Sequence, residues 1–271
     1  MSSVWIAALI ALFVWWFSTG AVLYVVRRTE KAGNMGLMAS MVMGLVLVSL
    51  GLWGFVASLN ETSVGSAYVA FLSAIAIWGW VEISFLTGTI TGPNPHHCPS
   101  HLSGWERLVR AWGTIAYHEV LLTLVFACLW LYGAGAENIV GVWTFTMLYL
   151  ARISAKLNLF CGVPKINTEF LPEVLGHLPS HFKISKFNWL FPISITVLTC
   201  ASALWIERVL TAETAGAAVG FTLLSAITAL ALLEHWLMVL PLPDAKLWRW
   251  MLPTPKTSPT KNTKPEGNHG F

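Results

Sequence analysis

Apolar residues run on in this chain, in blocks long enough to cross a bilayer. A spanning helix needs about 20 of them. Seven windows qualify: residues 4–26, 37–57, 67–88, 112–133, 138–160, 189–208 and 214–240. The pattern predicts an all-α fold, a polytopic membrane helix bundle with seven transmembrane helices, occupying residues 1–243. A Pro-, Thr- and Lys-rich basic tail follows over 244–271, and its composition is that of a disordered segment. The loops 89–111 and 161–188 are rich in histidine. The first window is too long for a signal peptide, has no basic stretch before Val4 and is followed by Arg27 and Arg28, so it reads as a retained anchor.

Composition agrees with a bilayer environment. Hydrophobic residues make up 56% of the chain and charged residues 11%, against about 25% charged in soluble domains. A net charge of +3 gives no argument for a nucleic-acid partner. The cysteines, Cys98, Cys128, Cys161 and Cys200, form no CxxC pair and no disulfide framework.

Charge placement sets the expected orientation. With the N-terminus periplasmic and the C-terminus cytoplasmic, 15 of the 16 basic residues fall on the cytoplasmic side, and only Arg208 is left outside. That asymmetry is a strong positive-inside signal, and it requires an odd number of spans.

The candidate chemistry lies on that same side. The stretch PNPHHCPSHLSGWERLVRAWGTIAYHE holds His96, His97, His101 and His118. Its three prolines rule out a regular helix at the start, so the first three histidines belong to a loop. His118 and Glu119 follow on a helix. Glu82 lies near the cytoplasmic end of the third window, ~9 Å inside at 1.5 Å per residue. Glu234 and His235 occupy a matching depth in the last window. A carboxylate at such a depth usually faces a partner. In the loop 161–188, His177 and His181 have HxxxH spacing, interrupted by Gly176 and Pro179, so a short irregular turn near Pro172 is expected to bring them together. Arg152 and Lys156, at i and i+4 on one helical face, read as residues snorkelling to the interface or as a clamp for an anionic ligand. Trp15 and Trp16 lie deeper than an interfacial belt would place them.

These groups predict one shared site made from Glu82, His96, His97, His101, His118, Glu119, His177, His181, Glu234 and His235. Imidazole with carboxylate suits a transition metal such as iron, zinc, copper or manganese. Three chemistries fit: a di-iron centre; tetrapyrrole ligation by His118 or His235, holding haem or the magnesium of a bacteriochlorophyll; and a polar network or zinc clip with a structural role. HHCPSH departs from the histidine spacing of membrane desaturases and hydroxylases, so membership of that family is not expected.

The stretches NPHHCPSHLSGWERLVRAWGTIAYHE, ARISAKLNLFCGVPKINTEFLPEVLGHLPSHF and KISKFNWLFPISIT, with the start VWIAALIALFVWWFSTGAVLYVVRR, resemble the PuhE family of photosynthetic complex assembly proteins of purple and aerobic anoxygenic phototrophic bacteria. The similarity covers nearly the whole chain up to Pro253. It implies residence in the bacterial inner, intracytoplasmic photosynthetic membrane, among membrane lipid. It also implies a role in assembling the reaction centre and light-harvesting proteins, or in bacteriochlorophyll supply alongside bacteriochlorophyll biosynthesis proteins. It carries over no site residues. The enzymatic alternative is a metal-dependent oxygenase acting on a hydrophobic pigment or precursor.

Overall fold

The computed structural model describes residues 2–240 and 242, apart from 167, 170 and 187. The tail 244–271, expected to be disordered, lies outside the described residues. The described residues form six α-helices: α1 (Ser2–Ser58), α2 (Val64–Leu86), α3 (Gly104–Gly133), α4 (Val140–Cys161), α5 (Leu190–Leu210) and α6 (Ala215–Leu237), with 3-10 turns at Glu173–Leu175 and Leu178–His181. Five of them, α1, α2, α3, α5 and α6, are long and apolar enough to cross a membrane. This is the architecture of a multi-pass membrane protein. The 22-residue α4 is not among the five; its last three turns carry Arg152 and Lys156.

The first two apolar windows fall in one helical run, α1, which is broken at Gly33 (φ 59°, ψ −136°). Residues seven apart in a straight helix lie ~10.5 Å from each other. Here Thr29 Oγ1 comes within 3.5 Å of the Gly36 carbonyl, so the chain folds back sharply at Gly33 into two arms. A positive φ at this bend favours glycine, which has no Cβ to clash. Ala7 and Ala11 of the first arm pack with Ala67, Ala70 and Phe71 of α2 and with Val219 and Leu223 of α6. Phe55, on the returning arm, packs against Ala74 and Ile77 of α2 and Phe145 of α4. The starts of α2, α4 and α6 therefore gather at one end of the bundle. There the Asn138 N–H donates to the Leu59 carbonyl at 2.9 Å.

The histidine-bearing connections meet at the other end. The Cys98 N–H donates to Ser180 Oγ at 2.9 Å, which ties loop 87–103 to the 3-10 turn at Leu178–His181. Arg107 donates to the carbonyls of Phe160 (2.7 Å) and His181 (3.1 Å) and stacks over the Phe160 ring. Arg27 reaches the Glu169 carbonyl at 3.2 Å, and Glu30 accepts from the Glu173 N–H at 3.0 Å. The tip of α1 thus joins the same assembly.

One boundary departs from the sequence reading. The apolar window predicts a helix from about residue 112, but α3 starts at Gly104. A reciprocal capping box is the reason: Ser103 Oγ accepts from the Glu106 N–H and Glu106 accepts from the Ser103 N–H, satisfying donors that a helix start otherwise leaves open. The expected loop 89–111 ends eight residues early, at Ser103. The loop then hydrogen-bonds into α3. The His118 N–H donates to the Thr91 carbonyl (2.9 Å) and the Asn94 N–H to the Gly113 carbonyl (3.0 Å). A Cβ at position 92 would overlap the Gly113 carbonyl, so this approach requires glycine.

Candidate functional site

Between α1, α2, α3, α4, α6 and loop 162–189 lies a cavity of about 600 Å³, lined predominantly by apolar groups. Its volume is that of a small-molecule site. Five charged side chains line its helical walls: Glu82 on α2, Glu119 on α3, Arg152 and Lys156 on α4, and Glu234 on α6. His181 and Lys165 line its loop end.

The structure pairs these groups rather than pooling them. Arg152 Nη2 donates to Glu82 Oε2 at 2.9 Å. Lys156 forms an ion pair with Glu119, and its ammonium also lies 5.7 Å from the centre of the Phe85 ring. Arg152 and Lys156, expected to snorkel or to hold an anion, are instead the counter-ions of two buried carboxylates. Burying a charge without a partner costs several kcal/mol per ion, so the pairing is the physical reason for this difference. Glu234 takes a third course: its Oε1 accepts from the Trp15 indole N–H at 2.8 Å, and its side chain remains exposed to the cavity. Trp15 is a cavity residue that the sequence analysis did not include in the shared site. Its depth was the available signal.

The two membrane histidines separate from the carboxylates beside them. His235 is 1% exposed, its Nδ1 lies 2.8 Å from the Ala231 carbonyl and its Nε2 2.8 Å from Ser154 Oγ. Both ring nitrogens are occupied, so His235 fastens α6 to α4 and offers no lone pair to a metal or a tetrapyrrole. Ser154 was missed, though a buried imidazole must find partners. His118 is fully buried against the Phe85 ring, with centroids 4.3 Å apart and Nε2 4.0 Å from Glu119 Oε1. Neither residue lines the cavity. The expected inward convergence of five groups thus reduces to three carboxylates on the cavity wall, with the two histidines behind it.

The loop histidines divide as well. His177 and His181 are brought together by the two 3-10 turns: His177 is 9% exposed, His181 1%, and His181 Nδ1 lies 3.4 Å from the His177 carbonyl. Burial holds both imidazoles below their ordinary pKa, assisted at His177 by His97 and His96 and at His181 by His177, Arg107 and Arg110. The Nε2 atoms of His177 and His181 are buried without a hydrogen-bond partner. His96, His97 and His101 are exposed. Among the described residues, no three His, Cys, Asp or Glu side chains are placed to hold a metal ion together. Of the helix-borne part of the expected ligand set, Glu82, Glu119 and His235 have ion-pair or hydrogen-bond partners, whereas both ring nitrogens of His118 are buried without one.

Residues 1–259 match the family described as "Protein of unknown function (DUF3623)", and the chain belongs to that family. It is similar to a protein of Rhodobacter capsulatus described as "Uncharacterized 30.4 kDa protein in puhA 5'region", with 52% identity over 255 residues, covering 94% of this chain and 93% of that protein. No solved structure matches it.

Proposed function

We propose that this DUF3623 protein is an assembly factor of the bacterial photosynthetic membrane that holds a hydrophobic pigment or pigment precursor in its cavity. It serves assembly of the reaction centre and core antenna, or their bacteriochlorophyll supply. The observation that carries the reading is the 600 Å³ cavity, apolar in most of its lining yet bearing three carboxylates and two cations inside the bundle. Such a site suits a large apolar molecule with a few polar groups. The similarity to a protein named for the puhA 5' region supports a photosynthetic setting, as does the resemblance of the histidine-rich stretches to the PuhE family. The two arms of α1 with α2 to α6 make seven spans, N-terminus periplasmic and C-terminus cytoplasmic. The asymmetry of basic residues supports that orientation.

In cells lacking this chain, reaction-centre absorbance should fall and be restored by the wild-type gene. Ala155→Phe, which fills the cavity from α4, should reach the membrane at normal abundance and fail to restore it. Full restoration by Ala155→Phe would sink the proposal.

A second reading keeps a metal at the loops. His177 Nε2 is buried without a partner, and His96 and His97 are its electrostatic neighbours. A zinc or iron ion there would lock loop 87–103 to loop 162–189, or serve an oxygenase acting on the cavity's occupant. Elemental analysis of the wild type beside His177→Ala tests it: a stoichiometric metal lost in the variant supports the reading, and a metal-free wild type ends it.

A further inference from the structure

Charge balance in the cavity narrows what it can take. Three carboxylates, Glu82, Glu119 and Glu234, line its helical walls against two cations, Arg152 and Lys156. Each cation is committed: Arg152 to Glu82 at 2.9 Å, Lys156 to Glu119. Glu234 is left with one neutral donor, the Trp15 indole, and with no ion-pair partner among the described residues. It also differs in access. Glu82 and Glu119 are 9% and 6% exposed, whereas Glu234 is exposed on the cavity surface. Lys165, the other cation on the lining, belongs to the loop and donates to the Leu242 carbonyl.

On the helical walls an anionic head group meets two cations already paired with carboxylates and the carboxylate of Glu234, which has no ion-pair partner among the described residues. A cation or a hydrogen-bond donor meets an acceptor whose demand Trp15 satisfies only in part. Charge-assisted bonds to a carboxylate are roughly twice as strong as neutral ones, and weak screening in an apolar enclosure increases the difference. Apolar side chains of the first α1 arm and α6, among them Val22, Leu23, Ile227 and Leu237, line the same cavity and provide the surface for the rest of the molecule.

We propose that the cavity selects an amphiphile whose polar end is a cation or hydrogen-bond donor, and that Glu234 is the group that receives it. The inference rests on the cavity being a ligand site. It runs against the anion clamp that is one of the two sequence readings of Arg152 and Lys156.

The test uses three photoactivatable alkyl probes of equal chain length, ending in an amine, an alcohol or a carboxylate, with the full chain in liposomes. Labelled residues are mapped by mass spectrometry. The amine should label cavity residues on α1 and α6 about tenfold more than the carboxylate, the ratio expected for one charge-assisted bond. Glu234→Gln, which keeps an acceptor for Trp15, should remove that preference and leave alcohol labelling unchanged. Trp15→Phe, which removes the competing donor, should preserve or increase it. Equal or greater labelling by the carboxylate, or an amine preference that survives Glu234→Gln, overturns the inference while leaving the cavity as a ligand site. Absence of cavity labelling by all three probes overturns the ligand site itself.

Discussion

Removing Lys156 should expose the energetics of the charged wall. The Glu119 side chain is 7% exposed and that of Lys156 19%, so the pair is largely withdrawn from water. Lys156→Met leaves Glu119 with His118 Nε2 at 4.0 Å as its nearest ionisable neighbour, too far to replace the lost hydrogen bond. Breaking a buried pair on one side costs about 3–5 kcal/mol, whereas replacing both members with apolar residues of similar volume is near neutral or stabilising. Lys156→Met and Glu119→Leu should therefore each destabilise by about 3–5 kcal/mol, and the double variant should return to within about 1 kcal/mol of wild type. The Arg152–Glu82 pair has a more open cation, with its side chain 33% exposed. Arg152→Met should cost less, about 1.5–3 kcal/mol. Reversible unfolding in mixed micelles gives all four corners of the cycle. Additive single effects, each below about 0.5 kcal/mol, would refute the argument that these charges must be paired.

Three further outcomes follow from other parts of the fold. Gly92→Ala and Gly216→Ala each place a Cβ against a backbone carbonyl, of Gly113 and of Thr62, so both should lower the yield of folded protein in detergent far more than Gly104→Ala, where the space is open. Ser103→Ala removes the cap of α3 and should cost about 1 kcal/mol, measured by the same unfolding assay; an unchanged value would mean the capping box is idle. His177 and His181 have folded pKa values below the ordinary 6.5, so as pH falls through that value the unfolded chain takes up protons first. Stability present above about pH 6.5 should then be lost below it, and His177→Gln should flatten the thermal-unfolding profile between about pH 7 and pH 5.

The helices were legible because continuous apolar runs leave a bilayer-spanning segment few other conformations. The early start of α3 was also written in the chain, as Ser103 and Glu106 at capping-box spacing, but the apolar window began later and concealed it. The fold-back at Gly33 could not be separated from an ordinary loop, since one residue with positive φ makes the bend and helix resumes at once. The site was half legible. Depth singled out Glu82, Glu119 and Glu234, and all three line one cavity. It could not tell which neighbour each would choose, and Arg152 and Lys156, two basic residues on one helix at the same end, were the complement of Glu82 and Glu119. Histidine abundance was the hardest signal to convert into contacts. His235 is consumed by Ser154 and the Ala231 carbonyl, His118 is sealed against Phe85, and three loop histidines remain exposed. Sequence position brings imidazoles to one end of a bundle, but their ring nitrogens are assigned only by packing.

Whether the cavity holds a pigment is read most directly from the organic extract of the full chain purified from phototrophically grown cells, by absorption and mass spectrometry. A hydrophobic pigment or precursor should be present in stoichiometric amount, absent from Ala155→Phe and retained in His235→Ala, because the ring nitrogens of His235 are taken by Ser154 of α4 and the Ala231 carbonyl of α6. A wild-type extract containing lipid alone, or a pigment retained in Ala155→Phe and lost in His235→Ala, would contradict the proposed function.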